Sequence, residues 1–290
     1  MTRAPQRTPP PPRFQKVSDH YFYLAGSGTA PNLGALVTDD GLLLVDAPPE
    51  KDAAAPLEAL RKVTAKPVRW LVHTRPPADA AAYAPPQNGV LLARRTPGPA
   101  PAGAQLSFDS QVRLFPGGIE ARILALDAKA HTAADVVVFV PAEKVLHVGG
   151  LFTPGSYPSI DAGAGGSPVG WLDGARQVIQ AVPLLRSAMP PKPAAATKSA
   201  VPPKTAARPP EEKSLEELVA VIPARGRASN LAELKGVFES AQKLRFEAGR
   251  AVAAGRSRET FLASLAGSPF REYGNLESFA GQLFDALASK

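Results

Sequence analysis

The side chains able to do chemistry in this sequence are few: four histidines, scattered acids and no cysteine. The histidines are His20, His73, His131 and His147. Imidazole and carboxylate groups bind zinc, whereas the absence of cysteine excludes disulfides, thiolate metal sites and a cysteine nucleophile. The sequence has no Gly-x-Ser-x-Gly nucleophile elbow, no phosphate loop with Gly-Lys-Ser/Thr and no Rossmann glycine fingerprint after a strand. The remaining chemistry to weigh is therefore that of histidine and aspartate.

The elements that must position these residues alternate between strands and helices. Short apolar runs bounded by Gly, Pro and Asp predict strands at residues 21–25, 33–38, 42–46, 68–72, 111–115, 119–125, 135–140, 144–148 and 218–222. Apolar residues at helical spacing predict helices at residues 53–63, 171–185, 231–248, 257–266 and 275–288. Asn230 is predicted to cap the third helix and Gly249 to end it. This order suits two sheets covered by helices on their outer faces.

The positive charge of the chain is concentrated in two Pro-rich segments. The formal net charge is +7, of which residues 1–16 carry +4 and residues 187–214 carry +3. These segments hold nine of the 33 basic and two of the 26 acidic residues, which leaves 24 of each sign elsewhere. A formally neutral body lacks the broad basic face that phosphate-backbone binding requires, so the charge argues against a nucleic-acid partner.

Composition also bounds the domain organisation. Residues 1–16 are predicted to be a disordered Pro-rich basic tail, and residues 187–214 a disordered Pro/Ala/Lys-rich insertion in one domain of residues 17–290. No apolar run approaches the roughly 18 residues of a membrane span, so no membrane partner is expected. As written, the chain reads as cytoplasmic, and it would be exported if a signal segment upstream were missing.

Four stretches carry a resemblance to a known family. Residues 17–46 resemble the opening hairpins of metallo-β-lactamase-fold hydrolases, and residues 72–80, 130–150 and 221–226 resemble later landmarks in the same order. Residues 157–171 are similar to the branch called SoxH-like or quinoprotein-relay zinc hydrolases. The resemblance implies an α/β fold, a metallo-β-lactamase-type αββα sandwich of two mixed sheets flanked by helices, with further C-terminal helices.

The family binds two zinc ions with seven ligands, and the resemblance retains two of them here, Asp79 and His131. Five ligand positions are replaced. They are occupied by Arg75, Pro77, Ala80, Gly150 and Arg225. Because the two retained residues serve different ions in the family, neither zinc keeps more than one protein ligand, and a catalytic zinc site usually needs three. The resemblance therefore implies a degenerate member that binds no cofactor.

Both retained residues also have structural interpretations. Asp79 precedes an Ala-rich helical run and suits a helix N-cap, and His131 with Thr132 begins a turn before a strand. A single-metal site built from His73, Asp79 and His131 is the alternative. His147 is expected to point away from the position of Gly150, because side chains three apart on a strand face opposite sides.

The two arginines suggest another kind of site. If Arg75 and Arg225 converge on the former metal cleft, their guanidinium groups could bind a carboxylate or phosphate, although both could instead pair with acids such as Asp46 and Asp79. Gly163 to Gly170 is predicted to be a mobile loop at the mouth of this cleft.

The predicted function is therefore a non-catalytic binding or scaffold role with a small-molecule or anionic ligand. The alternative is a weak or mononuclear zinc-dependent hydrolase, and a third interpretation is a protein partner that binds the Pro/Lys-rich segments.

Overall fold

The computed structural model describes residues 11–26, 30–48, 50–75, 89–96, 103–186 and 219–289. Its strands form two mixed sheets. The first contains β1 (Gln15–Lys16), β2 (Tyr21–Leu24), β3 (Leu33–Thr38), β4 (Gly41–Val45), β5 (Val68–Val72), β6 (Val90–Arg94) and β7 (Leu106–Phe108), in that order. The second has the order β13-β12-β11-β10-β9-β8. These strands are β8 (Gln111–Leu114), β9 (Ala121–Ala125), β10 (Val136–Val140), β11 (Val145–Gly149), β12 (Ala220–Pro223) and β13 (Ser229–Asn230).

Helices cover the outer faces of both sheets. They are α1 (Ala54–Arg61), α2 (Pro168–Arg186), α3 (Leu231–Ala253), α4 (Arg258–Ser264) and α5 (Leu276–Ala288). One apolar cluster lies between the sheets, a second packs α1 on the first sheet, and a third packs α2, α3 and α5 on the second sheet. The predicted αββα sandwich with C-terminal helices is therefore confirmed. Within the described ranges, no helix combines the length and apolar character needed to cross a membrane.

Local sequence explains where the helices begin. Asn230 accepts a hydrogen bond from the backbone N–H of Glu233 and Ser257 accepts one from that of Thr260, as N-caps do. The predicted end of α3 at Gly249 is wrong, because the helix continues to Ala253. Buried Ala248 and Ala251 lie on either side of the glycine and continue the apolar face of α3, and this packing outweighs the weak helix propensity of one residue.

The predicted boundary of the N-terminal tail at residue 16 also needs correction. Phe14 is buried against the first sheet, and Gln15–Lys16 pair with β2, so these residues belong to the folded domain. Residues 1–10 and the predicted insertion at residues 187–214 lie outside the described residues.

Sheet direction places one set of strand ends together. β5 runs parallel to β4, and β12 runs parallel to β11. Residues that follow these strands therefore lie at one edge of the sandwich, where the backbone N–H of Val136 in the second sheet donates to the carbonyl of Thr74 after β5. This edge contains the candidate site.

Candidate functional site

The candidate site is centred on Gly149 and Gly150 at the end of β11. Gly149 approaches Thr74 so closely that an added Cβ would lie 2.1 Å from the Oγ1 atom of Thr74. The carbonyl of Gly149 accepts a 2.7 Å hydrogen bond from the backbone N–H of Ala224. Arg75 directly follows Thr74, and Arg225 directly follows Ala224. The structure therefore brings the backbone positions of both arginines to the same edge. The side chain of Arg75 is partly buried and that of Arg225 is exposed.

His131 lies directly beside Gly150. A Cβ added at Gly150 would lie 2.3 Å from Cδ2 and 2.8 Å from Nε2 of His131. The Nδ1 atom of His131 lies 2.5 Å from the carbonyl oxygen of Ser159. A carbonyl only accepts hydrogen bonds, so Nδ1 carries the proton, and the lone pair of the neutral ring is on Nε2.

The turn that carries His131 is held by an aspartate. Asp135 accepts hydrogen bonds from the backbone N–H and the hydroxyl of Thr132, at 2.8 and 2.7 Å. Burial raises the pKa of Asp135 above its usual value, although both hydrogen bonds oppose that shift. The turn is thus fixed by its own side chains.

The glycine-rich loop packs against the same turn. A Cβ at Gly166 would lie 2.0 Å from the carbonyl oxygen of His131, and one at Gly170 would lie 2.0 Å from that of Lys129. The backbone N–H of Asp161 also donates to the carbonyl of His131. The glycines of this loop therefore permit close backbone contact, whereas its mobility stays a prediction.

Behind the site lies a buried polar network that sequence reasoning did not assemble. Asp46 follows β4 at φ 59° and accepts 2.8 Å hydrogen bonds from the backbone N–H and the hydroxyl of Thr74. Nε2 of His147 lies 3.6 Å from one carboxylate oxygen of Asp46, and Nδ1 of His73 lies 3.8 Å from the other. The hydroxyl of Tyr21 lies 3.0 Å from Nδ1 of His147.

Electrostatics keep this network charged. Burial alone would raise the pKa of Asp46, but its interactions with His147 and His73 outweigh burial and hold the pKa well below its usual range. Burial raises the pKa of Tyr21 far above its usual value. The ionised carboxylate of Asp46 therefore sits between Thr74 and two imidazoles.

The loop of Arg225 is held by a residue that sequence reasoning also missed. Asn32 is fully buried, and its side-chain nitrogen donates to the carbonyls of Pro223 and Gly226, each at 2.9 Å. Its backbone N–H donates to Ala224. The sequence offers only an asparagine directly before an apolar run. Its burial, and with it the need for hydrogen-bond partners, is visible in the structure alone.

The histidines do not converge on one point. His20 binds Glu143 at the surface, His73 and His147 face Asp46, and His131 faces Ser159. Among the described residues, no group of three or more His, Cys, Asp or Glu side chains is arranged to hold a metal ion. Three predicted site positions, Pro77, Asp79 and Ala80, lie outside the described residues.

Comparison with solved structures decides the fold family. The chain is similar to a metallo-β-lactamase from Pontibacter korlensis, with a TM-score of 0.57, 14% identity, and coverage of 80% of this chain and 99% of that one. It is also similar to metallo-β-lactamase FIM-1 from Pseudomonas aeruginosa in its mono-zinc form, with a TM-score of 0.56, 19% identity, and coverage of 80% and 96%. The chain has the metallo-β-lactamase fold.

A longer metallo-β-lactamase-fold structure covers more of this chain. The sec-alkylsulfatase Pisa1 from Pseudomonas sp. matches 95% of it with a TM-score of 0.67 and 11% identity, and this chain spans half of that protein. No family model and no curated protein matches the sequence. The likeness thus establishes the fold, whereas the SoxH-like branch stays a prediction.

Proposed function

We propose that this chain is a non-catalytic metallo-β-lactamase-fold protein whose cleft binds a small anion instead of metal ions. The observation that carries the proposal is the contact between Gly150 and His131. The resemblance assigns the bridging aspartate to position 150, yet a Cβ there would lie 2.3 Å from the imidazole. The position has no room for a carboxylate while His131 keeps its hydrogen bond to Ser159.

The donor set at the neighbouring positions supports the loss of metal chemistry. Arg75 and Arg225 stand where the resemblance places histidine ligands, and Gly150 has no side chain. Of the described ligand positions, His131 alone offers a donor atom, whereas a catalytic zinc usually has three protein ligands. Two guanidinium charges would also oppose a dication. The zinc ions of the family therefore do not fit these residues.

The arginines support an anion as the ligand. Thr74 contacts Gly149 and Ala224 donates to it, so the residues that follow, Arg75 and Arg225, start from one edge of the sandwich. Guanidinium groups bind carboxylate and phosphate oxygens in bidentate geometry. Such a site holds an anion without activating water.

Thermal unfolding of the full chain in a titration of inorganic phosphate and of succinate tests the proposal. At a concentration of 100 times the Kd, a bound anion should stabilise the wild type by about 2.7 kcal/mol. Arg75→Ala/Arg225→Ala should lose this stabilisation. The matched control, Arg245→Ala/Arg271→Ala, removes one half-exposed charge from α3 and one exposed charge from the 3-10 turn after α4, and should keep it. No stabilisation of the wild type by either anion, or an equal loss in both double variants, contradicts the proposal.

A single-metal hydrolase is the second candidate, and the tautomer of His131 favours it. Histidines that bind metals usually donate the other ring N–H to a carbonyl or carboxylate, as His131 does to Ser159. However, His73, which the sequence offers as a further ligand, faces Asp46. Asp79 lies outside the described residues. One zinc per chain, lost together with hydrolytic activity in His131→Ala, would support this candidate over anion binding.

A further inference from the structure

The C-terminal helices line a cavity that is open to solvent on one side and built from elements other than those of the candidate site. It lies between the last turns of α3 and the helix α4, and Phe270 in the following 3-10 turn also lines it. Its volume is about 540 Å³. Sites for small organic molecules are typically about 300 to 1,000 Å³, so the cavity can hold one.

The cavity has an apolar floor and a charged rim. Ala251, Phe261 and Leu265 form the floor and are 4%, 2% and 5% exposed. Glu247, Arg250 and Arg256 lie at the rim, with a net charge of one positive unit. A ligand that matches both parts has an apolar body and one negative charge.

The partners of the rim residues identify the group that would bind the charge. Arg250 lies 3.6 Å from Glu247, and its guanidinium group stacks over the ring of Phe246 at 6.0 Å. The side chain of Arg256 makes no hydrogen bond or ion pair within the described residues. Arg256 is therefore the guanidinium available to a ligand.

The serine hydroxyl groups that line the cavity already donate hydrogen bonds within the protein. Ser264 donates to the carbonyl of Phe261 at 2.6 Å, and Ser268 donates to that of Leu265 at 2.8 Å. Neither serine offers its proton to a ligand, so a neutral sugar or alcohol would find no hydroxyl donor here. The polar recognition falls to the guanidinium groups, which bind carboxylates in bidentate geometry.

We propose that this cavity binds a small amphipathic carboxylate. Its phenyl or short alkyl body packs on Phe261 and Leu265, and its carboxylate binds Arg256 with Arg250 beside it. This site is independent of the proposed anion cleft at Arg75 and Arg225, and either can exist without the other.

Isothermal titration calorimetry of the full chain with 4-phenylbutyrate tests this site. The neutral amide of 4-phenylbutyrate should bind more weakly because it lacks the charge, and acetate should bind more weakly because it lacks the apolar body. Arg256→Gln should weaken the binding of 4-phenylbutyrate by about 10-fold, the loss expected for one charge-assisted hydrogen bond. Arg245→Gln removes the same charge from a position on α3 outside the cavity and should leave binding unchanged.

Two filling variants test the location of the ligand. Ala251→Leu places a larger side chain in the buried floor and should abolish binding. Ser264 is exposed, so Ser264→Phe blocks the rim without disturbing the core and keeps the test valid if the first variant does not fold.

Four results overturn the proposal. The first is that the wild type does not bind 4-phenylbutyrate, and the second is that Arg256→Gln and Arg245→Gln change its binding equally. The third is that Ser264→Phe binds it as the wild type does. The fourth is that Arg75→Ala/Arg225→Ala loses its binding. The last result would assign the carboxylate to the cleft and thereby distinguish failure of this site from failure of the proposed function.

Discussion

Replacing Gly150 by alanine tests the contact on which the proposed function depends. The backbone of Gly150 has no positive φ, so a methyl group brings no backbone strain. Its Cβ would lie 2.3 Å from Cδ2 and 2.7 Å from Cγ of His131, so the ring must move away. That movement breaks the hydrogen bond to Ser159, worth about 0.5 to 1.5 kcal/mol. Overpacking adds about 1 to 3 kcal/mol.

We therefore expect Gly150→Ala to lower the free energy of unfolding by about 1.5 to 4.5 kcal/mol, the sum of these two losses. Urea denaturation followed by circular dichroism measures this, provided that the m-value is unchanged. In a His131→Ala background the methyl group has room, so the same substitution should have little effect. The coupling energy in this double-mutant cycle should therefore be close to the whole effect of Gly150→Ala in wild type, about 1.5 to 4.5 kcal/mol.

A matched glycine provides the control. Gly249 lies inside α3 and an added Cβ would meet nothing within 4 Å, so Gly249→Ala should stabilise the protein by about 0.5 to 1 kcal/mol. If Gly150→Ala is as well tolerated as Gly249→Ala, or if its effect is equal with and without His131, the ring does not occupy the space at position 150. The steric argument against a metal-bridging carboxylate would then fail.

Three further substitutions test the surroundings of the site. Asp46→Asn should destabilise the protein at pH 7, and the difference from wild type should shrink as the pH falls below about 4. The pKa of Asp46 is lower in the folded than in the unfolded state, so the ionised carboxylate stabilises the fold above the unfolded pKa, and this contribution is lost as the pH falls towards the folded pKa. Urea denaturation at pH 7 and 3.5 measures the difference in stability, and a constant difference contradicts the prediction. Gly149→Ala should destabilise by at least about 2 kcal/mol, the sum of backbone strain and overpacking, because φ is 53° and the Cβ would overlap Thr74; an effect on urea stability below that of Gly150→Ala would argue against it. Asn230→Ala should cost about 1 kcal/mol through loss of the α3 cap, with no change in the anion titrations, and an unchanged urea midpoint would exclude a capping role.

Apolar periodicity predicted much of the fold. Buried faces repeat along the chain at strand or helix spacing, and this local signal was sufficient for α1, α2, α5 and the hairpin of β3 and β4. It missed β6 and β7, which form by parallel pairing, β6 with β5 and β7 with β6, and for which no strand was predicted from the apolar pattern. The end of α3 was misplaced because a glycine weakens a helix locally, whereas packing of Ala251 decides its length.

The candidate site was less accessible to sequence reasoning because its contacts join distant residues. The resemblance placed Arg75, His131, Gly150 and Arg225, yet no local pattern relates His131 to the carbonyl of Ser159, 28 residues away. The same limit applies to Gly166, because composition cannot distinguish a glycine needed for close packing from one in a mobile loop.

The zinc content of the full chain tests the central claim most directly. Wild type and His131→Ala, purified without chelators, are dialysed side by side against buffered zinc, and bound metal is measured by inductively coupled plasma mass spectrometry. The proposed function predicts that wild type retains no more zinc than His131→Ala. One or two zinc ions per wild-type chain, lost in His131→Ala, would contradict it and assign the cleft to metal.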